Sequence, residues 1–143
     1  MRKLTFGMNM SLDGYIAAPG DDLGWSVPSD ELFQWWSDRV DATGLALYGR
    51  KLWEAMSSHW PIGDQQPDAT PAQIEFARNW RDTPKVVFSS TIEKVDWNTR
   101  LVTGDAVAEI TRLKADDGEP MRVGGATLAG AAMRAGLVDE YEI

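Results

Sequence analysis

Three short segments place glycine, hydroxyl or basic residues directly after apolar runs that are typical of buried strands. They are Tyr48-Gly49-Arg50-Lys51, Phe88-Ser89-Ser90 and Val123-Gly124-Gly125-Ala126-Thr127. Two of them lead into predicted helices, whose free backbone N–H groups and positive dipole end attract anions. Ligands of open α/β sheets bind beyond the carboxyl ends of the parallel strands. We therefore expect these segments to form one anion-binding site.

The two basic residues of the first segment strengthen this interpretation. Cations at a helix N-terminus have the wrong sign for the helix dipole, which costs about 0.3–1 kcal/mol each when they are exposed. An anionic ligand would offset that cost. The alternative is an ion pair between Arg50 and Glu54 one turn later, worth about 0.2–0.5 kcal/mol, which would leave Lys51 unexplained. Gly124-Gly125 likewise has an alternative as a simple tight turn.

The predicted ligand is a dinucleotide that carries an extra phosphate, rather than NAD. An NAD site in a Rossmann fold uses a Gly-x-Gly-x-x-Gly turn and an acidic residue on the ribose hydroxyls. Neither feature is evident in this chain. Arg50 and Lys51, with the hydroxyls of Ser89 and Ser90, suit a 2′-phosphate because charge-assisted hydrogen bonds favour such an anion. This pattern predicts a phosphorylated dinucleotide as the ligand.

The elements that must position these segments alternate between strands and helices. Strands are predicted from the alternating run at 3–12 and from short apolar runs at 45–48, 85–88, 101–102 and 121–123, and a further strand is predicted to begin at 140–143. Helices are predicted after Ser29, a favourable N-cap, and at 51–56, 71–80, 106–114 and 126–135, with a loop at 57–70. This alternation predicts an α/β fold with a mostly parallel sheet and helices on both faces. We expect a single domain over residues 1–143.

Composition excludes several classes of function. The net charge of −8 argues against nucleic acid, because a face that binds it needs clustered Lys and Arg. There is no cysteine and only one histidine, His59, so no metal site is predicted. A hydrolase would use His59 as its base, but no Gly-x-Ser-x-Gly turn accompanies it. No apolar run is long enough to cross a membrane, and no signal peptide is evident, so we expect a cytoplasmic protein.

Taken in this order, the segments resemble the dihydrofolate-reductase-like superfamily across essentially the whole chain. Residues 48–54 look like its Gly-Arg-x-Thr cofactor motif, and residues 86–90 like the strand and serines that meet the 2′-phosphate. Residues 123–128 are similar to the glycine pair, often joined by a cis peptide, beside the pyrophosphate. The resemblance implies a three-layer α/β/α fold with a mostly parallel mixed sheet. It implies cofactor contacts at Gly49, Arg50, Lys51, Ser89, Ser90, Gly124, Gly125, Ala126 and Thr127.

Within that superfamily, Ser11-Leu12-Asp13-Gly14-Tyr15-Ile16-Ala17 resembles a signature of one family. That family is the C-terminal reductase domain of the riboflavin-biosynthesis deaminase-reductase, with its stand-alone bacterial relatives. Leu52 stands where the superfamily has Thr, which removes one hydroxyl contact to phosphate. The family also continues past the position of Ile143 into a terminal hairpin that is absent from this sequence, so either the sequence is truncated or the sheet lacks an edge.

The resemblance implies hydride transfer from NADPH to a C=N bond of a small pyrimidine or pterin-like substrate. The family substrate is 5-amino-6-(5-phosphoribosylamino)uracil. Residues 24–30 resemble a dihydrofolate reductase segment, Trp-x-Leu-Pro-x-Asp, which would set the carboxylate of Asp30 against the substrate ring. Nearby tryptophans would desolvate that carboxyl and favour proton delivery. Asp13 is the second candidate catalytic residue.

Each of these assignments has an alternative. Asp30 is favourable at a helix start without any catalytic role, and Asp13 opens an Asp-Gly turn. Two other functions also fit the same fold: a true dihydrofolate reductase, and a non-catalytic nucleotide-binding module. We further expect a homodimer whose interface uses some of the seven tryptophans.

Overall fold

Six strands form one sheet in the computed structural model, which describes residues 1–143. The strands are β1 (Leu4–Gly7), β2 (Leu45–Gly49), β3 (Lys85–Phe88), β4 (Thr99–Val102), β5 (Met121–Gly124) and β6 (Glu140–Glu142). Their order is β4-β3-β2-β5-β1-β6, and every neighbouring pair is parallel. The predicted three-layer α/β/α fold is confirmed, but the sheet is wholly parallel rather than mixed.

Five α-helices connect these strands. They are α1 (Asp30–Asp41), α2 (Arg50–Ser57), α3 (Pro71–Asp82), α4 (Ala106–Ala115) and α5 (Ala126–Arg134). The predicted loop after α2 contains a 3-10 helix, Trp60–Gln65, whose Pro61 is compatible with a first helical turn. None of the helices has the length and apolar character needed to span a membrane.

The first strand is shorter than the alternating pattern of residues 3–12 predicts. It ends at Gly7, and the chain soon folds into a tight turn. The Gly14 N–H donates to the Ser11 carbonyl over 2.9 Å, and Gly14 has a φ of +93°, a value that glycine adopts readily. The apolar side chains that follow Gly7 therefore belong to a loop and not to the sheet.

The two faces of the sheet carry separate apolar cores. Leu47, Val86 and Ile110 belong to the core beneath α4 and α5. Tyr48 and Trp80 belong to a more aromatic core beneath α1, α2 and α3. Because successive residues of a strand point to opposite faces, the short apolar strands β2 and β3 supply both cores at once. The helices are thereby fixed against both faces, with their N-termini near the carboxyl ends of the strands.

The chain connections diverge between β2 and β5. From β2 the chain runs through α2 and α3 to β3, whereas from β5 it runs through α5 to β6 on the other side. Such a divergence opens a crevice at the carboxyl ends of the two strands. Gly49 pairs with Phe88, and Tyr48 pairs with Gly124. The three segments singled out in the sequence therefore leave the sheet side by side.

Two buried lysines stabilise the end of the sheet opposite the three segments. Lys85, at the start of β3, donates to the carbonyls of Trp80 (2.6 Å) and Thr83 (2.7 Å). Lys114, at the end of α4, forms an ion pair with Asp139, whose carboxylate also accepts the Leu4 N–H over 2.8 Å. Burying a charge is costly unless it is hydrogen-bonded. Lys85 therefore fixes the end of α3 against β3, and Lys114 fixes the end of α4 against β1.

Glu109 of α4 links its helix to β4 and should make the fold sensitive to acid. It accepts hydrogen bonds from Arg112 (2.7 Å) and Arg100 (2.8 Å). The bond from Arg112 has the larger effect and that from Arg100 the next, and they lower the pKa of the Glu109 carboxyl to about 2. In the unfolded chain the pKa of this carboxyl is about 4.3. As the pH falls, the unfolded state therefore takes up the proton at a higher pH than the folded state does. The stabilisation is complete above about pH 5 and is lost as the pH falls towards 2.

We expect Glu109→Gln to lower the free energy of unfolding at pH 7 and to flatten its decline between pH 5 and pH 3. Urea unfolding at several pH values measures both effects. Glu93→Gln is the matched control, because Glu93 is exposed and makes no side-chain hydrogen bond or ion pair. If the Glu109 variant and the wild type lost stability equally across this range, the proposed linkage would be wrong.

Candidate functional site

A cleft of about 860 Å³ opens at the carboxyl ends of β2, β3 and β5. Eight of the nine residues predicted to contact a cofactor line it: Gly49, Arg50, Lys51, Ser89, Ser90, Gly125, Ala126 and Thr127. The ninth, Gly124, lies just behind the wall, where an added Cβ would come within 2.3 Å of Leu52 Cδ2. Leu52, which departs from the superfamily's Thr, therefore packs against Gly124. The structure brings all three sequence segments to one site.

The two helices that begin at this cleft lack the side-chain caps that the other three possess. Ser29, Thr70 and Asp105 cap α1, α3 and α4 by accepting a backbone N–H. Gly49 and Gly125 precede α2 and α5, and neither can supply such a bond. The orphan N–H groups of a helix start need acceptors. At α2 and α5 those groups are left available to a ligand in the cleft.

Gly125 brings the tips of β5 and β2 into close approach. Its φ is +95°, a conformation that residues with a Cβ rarely adopt. A Cβ built on it would lie 3.4 Å from the Gly49 nitrogen and 3.6 Å from its Cα. All peptide bonds are trans, including Gly124–Gly125, unlike the cis bond that the superfamily often has there. The glycine thus meets a conformational and a steric requirement at the same point of the cleft.

The two basic residues of α2 both have acidic partners. Arg50 pairs with Glu54 at 3.3 Å, the alternative considered from the sequence, and Lys51 pairs with Asp21 at 2.9 Å. Lys51, which the ion-pair alternative left unexplained, therefore has a partner of its own. The Lys51 ammonium holds the pKa of the Asp21 carboxyl below its usual value. All four side chains are exposed, and exposed pairs contribute little, so a more highly charged anion can compete for both cations.

The two predicted serines have different surroundings. Ser89 Oγ accepts the N–H groups of Thr91 and Ile92, each over 3.1 Å, and so stabilises the turn after β3. Ser90 is exposed and makes no side-chain hydrogen bond. Thr91 and Thr103 add further hydroxyls to the same end of the cleft. Ser90 is therefore the serine whose hydroxyl is available to a ligand.

The opposite end of the cleft is apolar and was not predicted from the sequence. Met8, after β1, lines it together with Ile16, Ala17 and Leu23 from the following loop. Ile16 and Ala17 are the last two residues of the Ser-Leu-Asp-Gly-Tyr-Ile-Ala motif, so that motif was the sequence signal that could have predicted this apolar end. The cleft therefore has a polar, phosphate-compatible part and an apolar end, as expected of a site for an extended amphipathic ligand.

The two candidate catalytic aspartates do not line the cleft. Asp13 is exposed in the turn after β1 and accepts the Ser11 hydroxyl over 2.6 Å. Asp30 is the exposed first residue of α1. Trp35 and Trp36 do not enclose it: they pack in the neighbourhood of Arg39 and Arg122. No group of three or more His, Cys, Asp or Glu side chains is arranged to hold a metal.

Comparison with known proteins agrees with this architecture. The model of the RibD C-terminal domain matches residues 2–143. The chain belongs to the RibD C-terminal domain family. The uncharacterised protein YyaP of Bacillus subtilis (strain 168) is 24% identical over 143 residues, which span 99% of this chain and 73% of YyaP.

A solved structure of this architecture comes from Shewanella sp. PV-4. It is the crystal structure of a candidate riboflavin biosynthesis protein, and it aligns with a TM-score of 0.68 at 22% sequence identity. The alignment covers 99% of this chain and 77% of that one. At this identity, the likeness shows that the two chains share a fold.

Proposed function

We propose that the protein is an NADPH-dependent reductase that acts on a C=N bond of a pyrimidine or pterin-like substrate. One observation supports this most: two helices with glycine N-caps and no capping side chain begin at the same cleft as Arg50 and Lys51. Membership of the RibD C-terminal domain family is consistent with reductase chemistry. Together they favour a negatively charged dinucleotide over other ligands.

The residues of the cleft fit the parts of NADPH. The free N–H groups at the starts of α2 and α5 suit the pyrophosphate, and Gly125 keeps that wall free of a Cβ. Arg50, Lys51 and the hydroxyl of Ser90 suit the 2′-phosphate by charge-assisted hydrogen bonds. The apolar end suits the nicotinamide, because an uncharged, water-excluding wall favours the dihydropyridine ring.

When bound, NADPH supplies a hydride to the carbon of the substrate C=N bond, while the nitrogen takes a proton and the product is a secondary amine. The ionisable side chains that line the cleft are Asp21, Arg50 and Lys51. Each belongs to an ion pair at the phosphate-compatible part. We therefore assign the proton to water, and assign to the protein the orientation of both reactants and the shielding of the apolar end.

A true dihydrofolate reductase receives less support. That assignment needs a carboxylate held against the substrate ring, and the exposed Asp30 lies outside the cleft. A riboflavin-type substrate, 5-amino-6-(5-phosphoribosylamino)uracil, agrees with the family and makes no such demand on Asp30. A non-catalytic module of the same fold remains the competing class, and the assay below separates it from an enzyme.

The test is the loss of NADPH absorbance in the presence of 5-amino-6-(5-phosphoribosylamino)uracil or, separately, dihydrofolate. We expect oxidation that depends on the pyrimidine substrate, and Asp30→Asn should leave it within about two-fold. Oxidation of NADPH with dihydrofolate alone, abolished by Asp30→Asn, would assign the protein as a dihydrofolate reductase. Saturable NADPH binding without turnover of either compound would favour the non-catalytic module.

A further inference from the structure

The loop that follows β1 reaches across the cleft and meets the start of α2. Residues 16–25 of this loop contribute Ile16 and Leu23 to the apolar end of the cleft. They also contribute Asp21 to the phosphate-compatible part, where its Oδ2 accepts a hydrogen bond from Lys51 Nζ over 2.9 Å. One short segment, called loop 16–25 below, therefore contacts both parts of the cleft.

The tip of loop 16–25 is a tight turn that presents the carboxylate of Asp21. Ala18 and Asp22 exchange two backbone hydrogen bonds across the turn, over 2.8 and 3.2 Å. Gly20 and Asp21 lie between them with φ values of +78° and +60°, a region in which aspartate is enriched among the residues that have a Cβ. The turn is therefore held by its own bonds, and it moves as one unit that carries Asp21 with it.

A single polar contact joins this loop to the body of the protein. Apart from the bond between Lys51 and Asp21, every hydrogen bond of residues 16–25 has its partner within residues 16–26. Residues 19–25 are all exposed. An exposed ion pair shifts a conformational equilibrium by at most about five-fold. The contact therefore holds the loop in place but is weak enough for a ligand to break it.

The carboxylate of Asp21 lies beside the same cation that the proposed function assigns to the 2′-phosphate of NADPH. That cation, Lys51, belongs to the first turn of α2, which has no capping side chain. A phosphate monoester carries a charge of about −1.5 to −2 at pH 7, against −1 for a carboxylate, and Arg50 adds a second cation next to it. The phosphate should therefore displace Asp21, whereas NADH lacks the phosphate and leaves the ion pair intact.

We propose that the Asp21–Lys51 ion pair is a latch that holds loop 16–25 across the free cleft, and that the 2′-phosphate of NADPH releases it. The inference rests on the proposed function, because the releasing anion belongs to the cofactor of that reductase. Once released, the loop is free to repack Ile16 and Leu23 at the apolar end. Phosphate binding at one part of the cleft is thereby coupled to the wall at the other, and NADH binds without this response.

The first part of the test uses ¹H–¹⁵N spectra of the free protein. We expect the amide signals of Ala17 and Leu23 to shift when the NaCl concentration rises from about 20 mM to about 500 mM, because salt screens an exposed ion pair. Asp21→Asn and Lys51→Gln should each place these signals at the high-salt positions already at low salt. Asp68→Asn removes an exposed carboxylate that makes no ion pair, and this control should behave like the wild type.

The second part compares two nucleotides that differ by one phosphate group. Adenosine 2′,5′-bisphosphate should move the wild-type signals of Ala17 and Leu23 to the positions seen in Asp21→Asn. Adenosine 5′-monophosphate should leave them in place, even at saturation. NADP⁺ and NAD⁺ should differ from each other in the same way.

Loop signals that stay in place in both Asp21→Asn and Lys51→Gln would overturn the inference, as would equal shifts with adenosine 5′-monophosphate and the bisphosphate. Saturable binding of NADP⁺ without any movement of the loop signals would also overturn it, but would leave the proposed function standing. If the loop responded to salt and to both substitutions while NADP⁺ showed no saturable binding, the proposed function would be contradicted, and the releasing anion named here would be wrong.

Discussion

Replacing Gly125 by alanine should weaken NADPH binding by roughly 100-fold. The φ of +95° is strained for any residue with a Cβ, at a cost of about 1–3 kcal/mol. Relief of this strain would rotate the first turn of α5 and turn its N–H groups away from the cleft. The new methyl group would also stand 3.4 Å from the Gly49 nitrogen, between the two helix starts. Isothermal titration of the variant with NADPH measures the loss.

Gly130→Ala is the matched control, because it makes the same chemical change inside α5, the helix that Gly125 precedes. A Cβ there meets only the Arg134 side chain, at 3.5 Å, and alanine is favoured over glycine in a helix by roughly 0.5–1 kcal/mol. We expect normal NADPH affinity and slightly higher stability. If Gly125→Ala and Gly130→Ala bound NADPH equally well, Gly125 would have no role in the phosphate site.

Replacing both Arg50 and Lys51 by glutamine should abolish the preference for NADPH over NADH. Hydrogen bonds to charged groups contribute about 1.5–3 kcal/mol each, so loss of both should weaken NADPH binding by at least about 100-fold. The affinity for NADH should change little, because it lacks the 2′-phosphate. Parallel titrations with the two cofactors measure the preference, and raising the salt concentration should weaken the wild-type NADPH complex more than the variant's.

Two further variants make this prediction specific. Arg78→Gln removes an exposed cation from α3, away from the cleft, and should leave both affinities unchanged. Asp21→Asn frees Lys51 from its ion pair and should strengthen NADPH binding. A glutamine double variant that still preferred NADPH would place the 2′-phosphate elsewhere.

The strands and their glycine-rich ends were predictable because local signals determine them. Apolar runs such as Lys85–Phe88 are too short for helices and are buried on both faces, as strands of a parallel sheet must be. Tyr48 and Gly124 emerge next to each other because parallel strands share one direction. The position of the cleft was therefore predictable from the rule that ligands of open α/β sheets bind beyond the carboxyl ends of the parallel strands.

Contacts between distant residues were not predictable from local pattern. Lys51 meets Asp21 only because the loop after β1 reaches across the cleft, and this loop holds Asp21 at a φ of +60°. The exposure of Asp30 depends on how α1 is rotated, which Trp36 and its neighbours decide. Arg122 packs over Trp36 only because Gly7, a residue more than a hundred positions earlier, leaves space for its side chain.

The central claim is that the starts of α2 and α5 together hold the phosphates of NADPH. Backbone amide shifts in ¹H–¹⁵N spectra, recorded during titration with NADP⁺, test it most directly. We predict saturable shifts centred on Arg50, Lys51, Ala126 and Thr127, with one dissociation constant for all four. Saturation without movement of these amides, or no saturable shift anywhere in the chain, would contradict the account.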